Sequence, residues 1–300
     1  VARPDSVLHK EDFVNIKANW NPKSHNLLET AQEMMLLPES FVFVDDNPAE
    51  RAIIAGQVEG AAVPEIEEVE HYIQCIDKSG FFEVTVLSED DLKRTEMYQK
   101  NAQRTQLQAS FADYEDYLQS LEMKGEIREF ASVYMSRIAQ LTNKSNQFNL
   151  TTRRYTQAEI EEIAKNQDYL TLYGKLSDKF GDNGVVSVVI GKLAENHHKE
   201  LHIKLWLMSC RVLKRDMELA MMDELIERAK AASVQKVYGY YYPTAKNVMV
   251  KDFYALLGFT KLSEDEKGNI TWLFEIPDTY EKKQHVIKVN TNNEYKEMEI

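Results

Sequence analysis

Phe41-Val-Phe-Val-Asp-Asp-Asn-Pro-Ala-Glu-Arg51 is a short apolar run that ends in two adjacent carboxylates and a turn. Aromatic and β-branched residues without polar interruption suit a strand covered on both faces, as in a parallel α/β sheet. The pattern predicts a buried strand over 41–45 that delivers Asp45 and Asp46 to its C-terminal edge. Ligand sites in such sheets lie beyond the carboxyl ends of the strands. Two carboxylates placed there repel each other unless a cation or a donor lies between them, and oxygen-only ligands suit Mg2+. The alternative is turn chemistry, with Asp46 or Asn47 capping the helix that Glu50 and Arg51 begin.

Upstream, residues 8–18 read as a helix or an irregular segment around Phe13 and Ile16. Ser24 to Met35 reads as a helix with Leu27, Leu28, Ala31 and Met34 on one face, stopped by Pro38. Downstream come a short helix over 48–55, a short extended piece over 61–64, and a helix through Ile73 and Ile76. The turn at Ser79-Gly80 and the pair Phe81-Phe82 close this part of a Rossmann-like layer, 1–83. A charged, proline-free connector follows over 84–124: a helix capped at Ser88-Glu-Asp-Asp91 and running on through Arg94, Met97, Tyr98 and Ala102, then one over 113–121.

A second, α+β unit is expected over 125–278, with 279–300 as a tail. Strands are predicted at 127–130, 170–176, 185–190, 201–207, 237–242 and 271–276, and helices at 133–141, 157–165, 217–232 and 251–257. Leu201-His-Ile-Lys-Leu-Trp-Leu207 alternates apolar with bulky or polar residues, the pattern of a half-buried antiparallel strand. Asp178-Lys-Phe-Gly-Asp-Asn-Gly184 reads as a hairpin turn whose glycines supply positive φ. His197 and His198 read as turn residues.

The chain has 300 residues, 43% of them hydrophobic and 28% charged, with a net charge of −13. This is ordinary globular composition, and the length suits two domains. The negative charge argues against a general nucleic-acid binder. No apolar run approaches the roughly 20 residues of a membrane span, so no membrane partner is expected. Cys75 and Cys210 are too few for a disulfide scaffold or a cysteine zinc site, which makes a reducing cytoplasm the expected home.

Phe41 to Arg51 resembles the fourth motif of haloacid-dehalogenase-like (HAD) phosphatases, and more narrowly the FkbH-like branch. Asn19-Trp-Asn-Pro-Lys-Ser-His-Asn-Leu27 resembles that branch's segment with the third-motif lysine. Leu141-Thr-Asn-Lys-Ser-Asn-Gln-Phe-Asn-Leu-Thr-Thr-Arg-Arg-Tyr155, Phe180-Gly-Asp-Asn-Gly184, Leu207-Met-Ser-Cys-Arg211 and Pro243-Thr-Ala-Lys-Asn247 match further FkbH-like blocks in order. The order of elements in the second unit resembles the GNAT acetyltransferase fold, and Asn247 through Phe259 resembles its helix-then-Gly-Phe ending. Two departures stand out. No apolar strand ending in the Asp-x-Asp nucleophile motif occurs, so the HAD part is expected to be a truncated or remnant unit. Lys214 and Asp216 stand where GNATs carry Gly or Ala in the loop that holds a pyrophosphate.

The resemblance implies a partial HAD-like Rossmannoid domain, a helical connector and a GNAT-like α+β acyltransferase domain. It implies glyceryl transfer from 1,3-bisphosphoglycerate, a small acyl phosphate, to an acyl carrier protein thiol, with Mg2+-dependent phosphate removal. The alternatives are a GNAT-type acyltransferase using acyl-CoA and a non-catalytic carrier-protein docking module. Asp46 would be the direct Mg2+ ligand, supported by Asp45, and Lys23 would neutralise phosphate. Asn143, Asn146, Gln147, Asn149, Thr151, Thr152, Arg153 and Arg154 gather amides, hydroxyls and guanidiniums suited to a phosphate or a phosphopantetheine or CoA arm, or else form a polar loop that caps helix ends. Arg211 and Asn247 join them. Cys210, beside Arg211, is a candidate acyl-carrying thiol or a small core residue.

Overall fold

The computed structural model describes residues 3, 5–66, 68–83, 92–195 and 199–290. The expected cap at Ser88–Asp91 and the turn at His197-His198 lie outside them. The chain divides into two compact units, Val1–Ser110 and Phe111–Ile300.

In the first unit α1 (Lys23–Glu33) starts after Pro22 and buries Ser24 and Ala31. Its end is tightened by Leu36 N–H donating to the Ala31 carbonyl (2.8 Å) across Met35, which takes a left-handed φ of 52°. The strand predicted over 41–45 is reduced to one parallel bridge, Val42 to Ala62. Phe43 N–H donates to the Ala62 carbonyl (2.8 Å) and Ala62 N–H to the Phe41 carbonyl (3.0 Å). Phe41 to Phe43 are half-buried and Val44 is exposed, so the run is not covered on both faces. The 61–64 piece pairs with one edge of the run only.

Pro48 opens α2 (Pro48–Gln57), and the Asn47 side chain caps it by accepting Ala49 N–H at 2.9 Å. Next come α3 (Tyr72–Lys78) and α4 (Arg94–Gln108). Gln99 on α4 donates to the carbonyls of Glu11 (2.7 Å) and Phe13 (3.1 Å), which ties this helix to the first unit. The stretch expected as one connector therefore divides, because α5 (Tyr114–Ser120), capped by Asp113, opens the second unit.

The second unit is mixed α/β. Its elements run β1 (Lys124–Arg128), α6 (Met135–Lys144), α7 (Gln157–Lys165), β2 (Tyr169–Asp178), β3 (Gly181–Leu193), β4 (Glu200–Met208), α8 (Met217–Ala231), β5 (Lys236–Tyr241), α9 (Phe253–Leu256), β6 (Thr260–Glu264), β7 (Ile270–Glu275) and β8 (Lys288–Asn290). They build an eight-stranded sheet in the order β6-β7-β5-β4-β3-β2-β1-β8. Pairing is antiparallel except for β4–β5 and β1–β8. The segment expected as a tail instead packs on the unit: Tyr280, Lys283 and Gln284 bond the Asp223 carboxylate of α8, and β8 extends the sheet.

The β2–β3 hairpin is tighter than expected, its strands running to Asp178 and Gly181 around Lys179-Phe180. Gly181 and Gly184 take positive φ, 142° and 67°. Helices α6 and α7 cover one sheet face through Met135, Ile138, Leu141 and Ile160 against Tyr173, Val188, Ile190, Leu205 and Leu207. The capping box of Thr156 and Glu159 fixes the start of α7. Helix α8 packs on β1, β2 and β3, and Gly174 lets Met217 and Met221 approach: a Cβ there would lie 2.2 Å from Met217 Cε. Each fully buried Leu, Ile or Met side chain contributes about 1.5–3 kcal/mol.

Candidate functional site

In the first unit the fold brings Lys23 and Asp45 together at 2.5 Å. Asp45 also accepts Asn47 N–H at 2.9 Å, and Arg51 pins the turn by donating to the Asp45 carbonyl at 2.7 Å and the Ile66 carbonyl at 2.8 Å. Burial pushes the Asp45 carboxyl up, but Lys23 and the Asn47 N–H outweigh it and hold it below the usual carboxylate range. The Asp45 pair in turn raises Lys23. Asp46 is exposed. With one Asp45 oxygen on Lys23, the other on a backbone N–H, and Asp46 itself in contact with Asp45, the carboxylates of this turn are already engaged. No group of three or more His, Cys, Asp or Glu residues among the described ones could hold a metal. These residues alone do not fit Mg2+, which keeps several ligands in octahedral geometry.

The residues expected to hold a ligand in the block 143–154 are largely spent on the fold. Asn143 donates to the carbonyls of Ala139 (2.9 Å) and Tyr155 (3.0 Å), and Arg154 donates to the Asn143 carbonyl and to Asn146 Oδ1 (2.8 Å). Asn149, 1% exposed, accepts Thr152 N–H at 2.8 Å, and Thr151 donates to the Lys204 carbonyl at 2.8 Å. Thr152 takes a left-handed φ of 53°. Asn247, fully buried, donates to the Asn149 carbonyl (3.0 Å) and the Tyr242 carbonyl (2.9 Å) and accepts Thr244 N–H (2.7 Å). Buried amides must find partners, and here the backbone supplies them. Gln147 is half-buried and Arg153 exposed.

The loop between β4 and α8 keeps a left-handed backbone without glycine: Lys214 has φ 60° and Asp216 φ 58°. Cys210 is half-buried at its start, and Arg211 Nε donates to Ser209 Oγ at 3.1 Å. Arg215 turns inward to the buried Asp178 (3.1 Å) and the Arg211 carbonyl (2.8 Å), and Tyr114 donates to the Lys214 carbonyl. Burial, then Glu115, pushes the Asp216 carboxyl up. Burial, with the Asp216 charge adding to it, pushes Glu218 up to about 7. A helix start with two carboxylates in its first residues does not fit the pyrophosphate of CoA.

A cluster not singled out from the sequence lies on the sheet face formed by β3, β4 and β5. Lys192, His202 and Tyr238 stand side by side across the three strands. The His202 ring stacks on Tyr238 (centroids 4.9 Å apart, 11° between planes), and its Nδ1 lies 2.8 Å from the Tyr240 hydroxyl. Its Nε2 is 4.0 Å from a Glu200 carboxylate oxygen. A bulge opposite Ile190–Gly191 falls at Lys204, whose Nζ sits 5.8 Å from the Tyr240 ring centroid, while Lys192 lies 5.8 Å from that of Tyr169. Burial, then Lys204, lowers the His202 pKa from its ordinary 6.5 against the pull of Glu200. Burial, then Arg153 and Lys192, lowers that of Lys204. The alternation in 201–207 already placed His202 and Lys204 on one face; which strands lie beside it was not local information.

No family model matches the chain, and no curated protein matches it. Among solved structures it is similar to the ribosomal-protein-S18-alanine N-acetyltransferase of Escherichia coli, at 12% identity and TM-score 0.39 over 54% of this chain and 99% of that one. It is similar to a GNAT-family acetyltransferase of Streptococcus pneumoniae, at 14% identity and TM-score 0.42 over 51% and 100%. The PaiA N-acetyltransferase of Thermoplasma acidophilum, solved with coenzyme A, is a third, at 15% identity and TM-score 0.38 over 51% and 99%. Likeness at these identities and TM-scores assigns no activity to the chain.

Proposed function

We propose that the second unit is an acyltransferase module of GNAT type that works on the open sheet face around His202 and Tyr240. The reading is supported by the element order, by the β4–β5 pair with its following loop and helix, and by the FkbH-like blocks in the sequence. The observation that carries it is the 2.8 Å contact between His202 Nδ1 and the Tyr240 hydroxyl, beside Lys204 and in register with Lys192. With its pKa lowered, His202 is a neutral imidazole near pH 7. If Nδ1–H donates to Tyr240, the Nε2 lone pair is free to take a proton, and Glu200 at 4.0 Å steadies the imidazolium that results.

The cations Lys192, Lys204 and Arg153 favour a donor bearing phosphate, namely a small acyl phosphate, with an acyl carrier protein as acceptor. In that step the carrier thiol gives its proton to His202 Nε2 and its sulfur forms the thioester bond. The carbonyl–oxygen bond to phosphate breaks, and phosphate leaves with the electron pair. Acyl-CoA as donor in the usual GNAT manner is the weaker reading, because of the carboxylates at Asp216 and Glu218.

The test incubates the full chain with acetyl phosphate, or with acetyl-CoA, and a phosphopantetheine-bearing carrier protein, and reads carrier acylation by intact mass. Transfer from acetyl phosphate is expected, falling about 10²–10⁴-fold in His202→Gln. Its rate should fall with pH below 6.5 as His202 takes up a proton. Transfer indifferent to both His202→Gln and Tyr240→Phe would sink the proposal, and carrier binding without transfer would make the chain a docking module.

A further inference from the structure

Strands β4 and β5 are parallel partners over only three pairs, Glu200–Lys236, Leu201–Val237 and His202–Tyr238, after which they part. A parting pair exposes unpaired backbone groups on two facing edges, a ready slot for an extended ligand with amide groups or for an added strand. Here the chain fills that slot itself. Leu150 spans it: its N–H donates to the Trp206 carbonyl of β4 (3.1 Å), and its carbonyl accepts the N–H of Tyr242, just past β5 (2.9 Å). Met208 N–H donates to the Phe148 carbonyl at 3.0 Å, completing an antiparallel bridge between Asn149 and Leu207.

Phe148, Asn149, Leu150 and Thr151 are 6%, 1%, 0% and 5% exposed. Phe148 meets Phe253 edge-on at 4.9 Å, and Thr151 closes the row on the Lys204 carbonyl. Asn247 holds the segment from the β5 side, its amide donating to the Asn149 and Tyr242 carbonyls at once.

We infer that Phe148–Thr151 is a built-in strand occupying the β4–β5 opening, that Asn247 locks it there, and that the unit thereby excludes an acyl-pantetheine arm from threading between the two strands. The β4 groups that such an arm would bond, the Trp206 carbonyl and the Met208 N–H, are already paired. A carrier-borne arm must then approach on the open face. The inference stands on the backbone of the second unit and not on His202, so loss of acyl transfer would leave it intact.

The test is hydrogen exchange on the full chain with and without millimolar acetyl-CoA. Peptides covering 148–151 and 206–208 should exchange slowly and identically in both. A change in either peptide on adding acetyl-CoA would overturn the exclusion, whatever the outcome for transfer. Asn247→Asp keeps the acceptor for Thr244 N–H and removes the two donated bonds. It should speed exchange at Leu150 and Met208 on the order of 100-fold while α8 keeps its protection. Unchanged protection at 148–151 in this variant would remove Asn247 as the lock. If α8 also loses protection in Asn247→Asp, Asn247→Ser, which is shorter and keeps a hydroxyl donor, should restore α8 while 148–151 stays fast; slow exchange there would again overturn the lock.

Discussion

Glu218 shows how one residue's surroundings set a pH dependence. Its carboxyl titrates near 7 because burial disfavours its charge and Asp216 adds to the effect. The folded-state pKa lies above the ordinary 4.5, so the stabilisation is present below about 4.5 and is lost as pH rises to about 7. Glu218→Gln should therefore be more stable than the parent at pH 8, on the order of 2–3 kcal/mol, and little different at pH 4. Urea unfolding at the two pH values checks this, and parallel curves for both proteins would refute it. At Asp45 the sign is opposite. Lys23 lowers its pKa, so Lys23→Met should move the Asp45 titration upward, read by carboxyl NMR shifts. An unmoved titration would mean that the ion pair does not form in solution.

Among the elements, β5 and β2 each carry a glycine under a side chain, but what lies above differs. A Cβ at Gly239 would sit 2.6 Å from the ring carbons of Tyr254, which is fully buried beneath Trp206 and Phe259. At Gly174 the close atoms are the flexible ends of Met217 and Met221. Gly239→Ala should thus cost about 1–3 kcal/mol and Gly174→Ala less, although its Cβ contact is nominally shorter. Melting temperatures of the two variants decide it; equal losses would show that the tyrosine ring can move. Element types were legible where periodicity was strong: α7 lies at 157–165 as expected, and β4 and α8 within a residue of expectation. The buried strand at 41–45 was not, because an apolar run states its affinity for a sheet and not whether neighbours on both edges exist. β6 went unread since its residues are exposed and lack alternation, and β8 since its 3 residues are too few to show a period.

For the whole molecule, a net charge of −13 coexists with a sheet face where Lys192, Lys204 and Arg153 gather. Among the described residues no helix is long and apolar enough to cross a membrane. An acidic carrier protein that docks on this face should bind more weakly as salt rises from about 0.05 to 0.5 M, since the screening length falls several-fold. Titration calorimetry at the two salt concentrations measures it, and salt-independent binding would place the contact elsewhere. The core between α6, α7 and the sheet sets the unit's stability: Ile138→Ala or Leu205→Ala, both at fully buried positions, should cost about 2–5 kcal/mol in urea unfolding.

By itself the sequence determined the periods of its helices and strands, the cap at Thr156, and the polar density of the block 143–154, because each depends on residues a few positions apart. Only the tertiary structure decided what that block does. Asn149 and Asn247 look like ligand amides in a linear reading, yet 98 positions apart they meet and bond the backbone. His202 and Tyr240, 38 positions apart, become a pair only because β4 and β5 are neighbours. The partner of a buried polar group is set by which strands adjoin, a non-local outcome of packing that a linear reading does not contain.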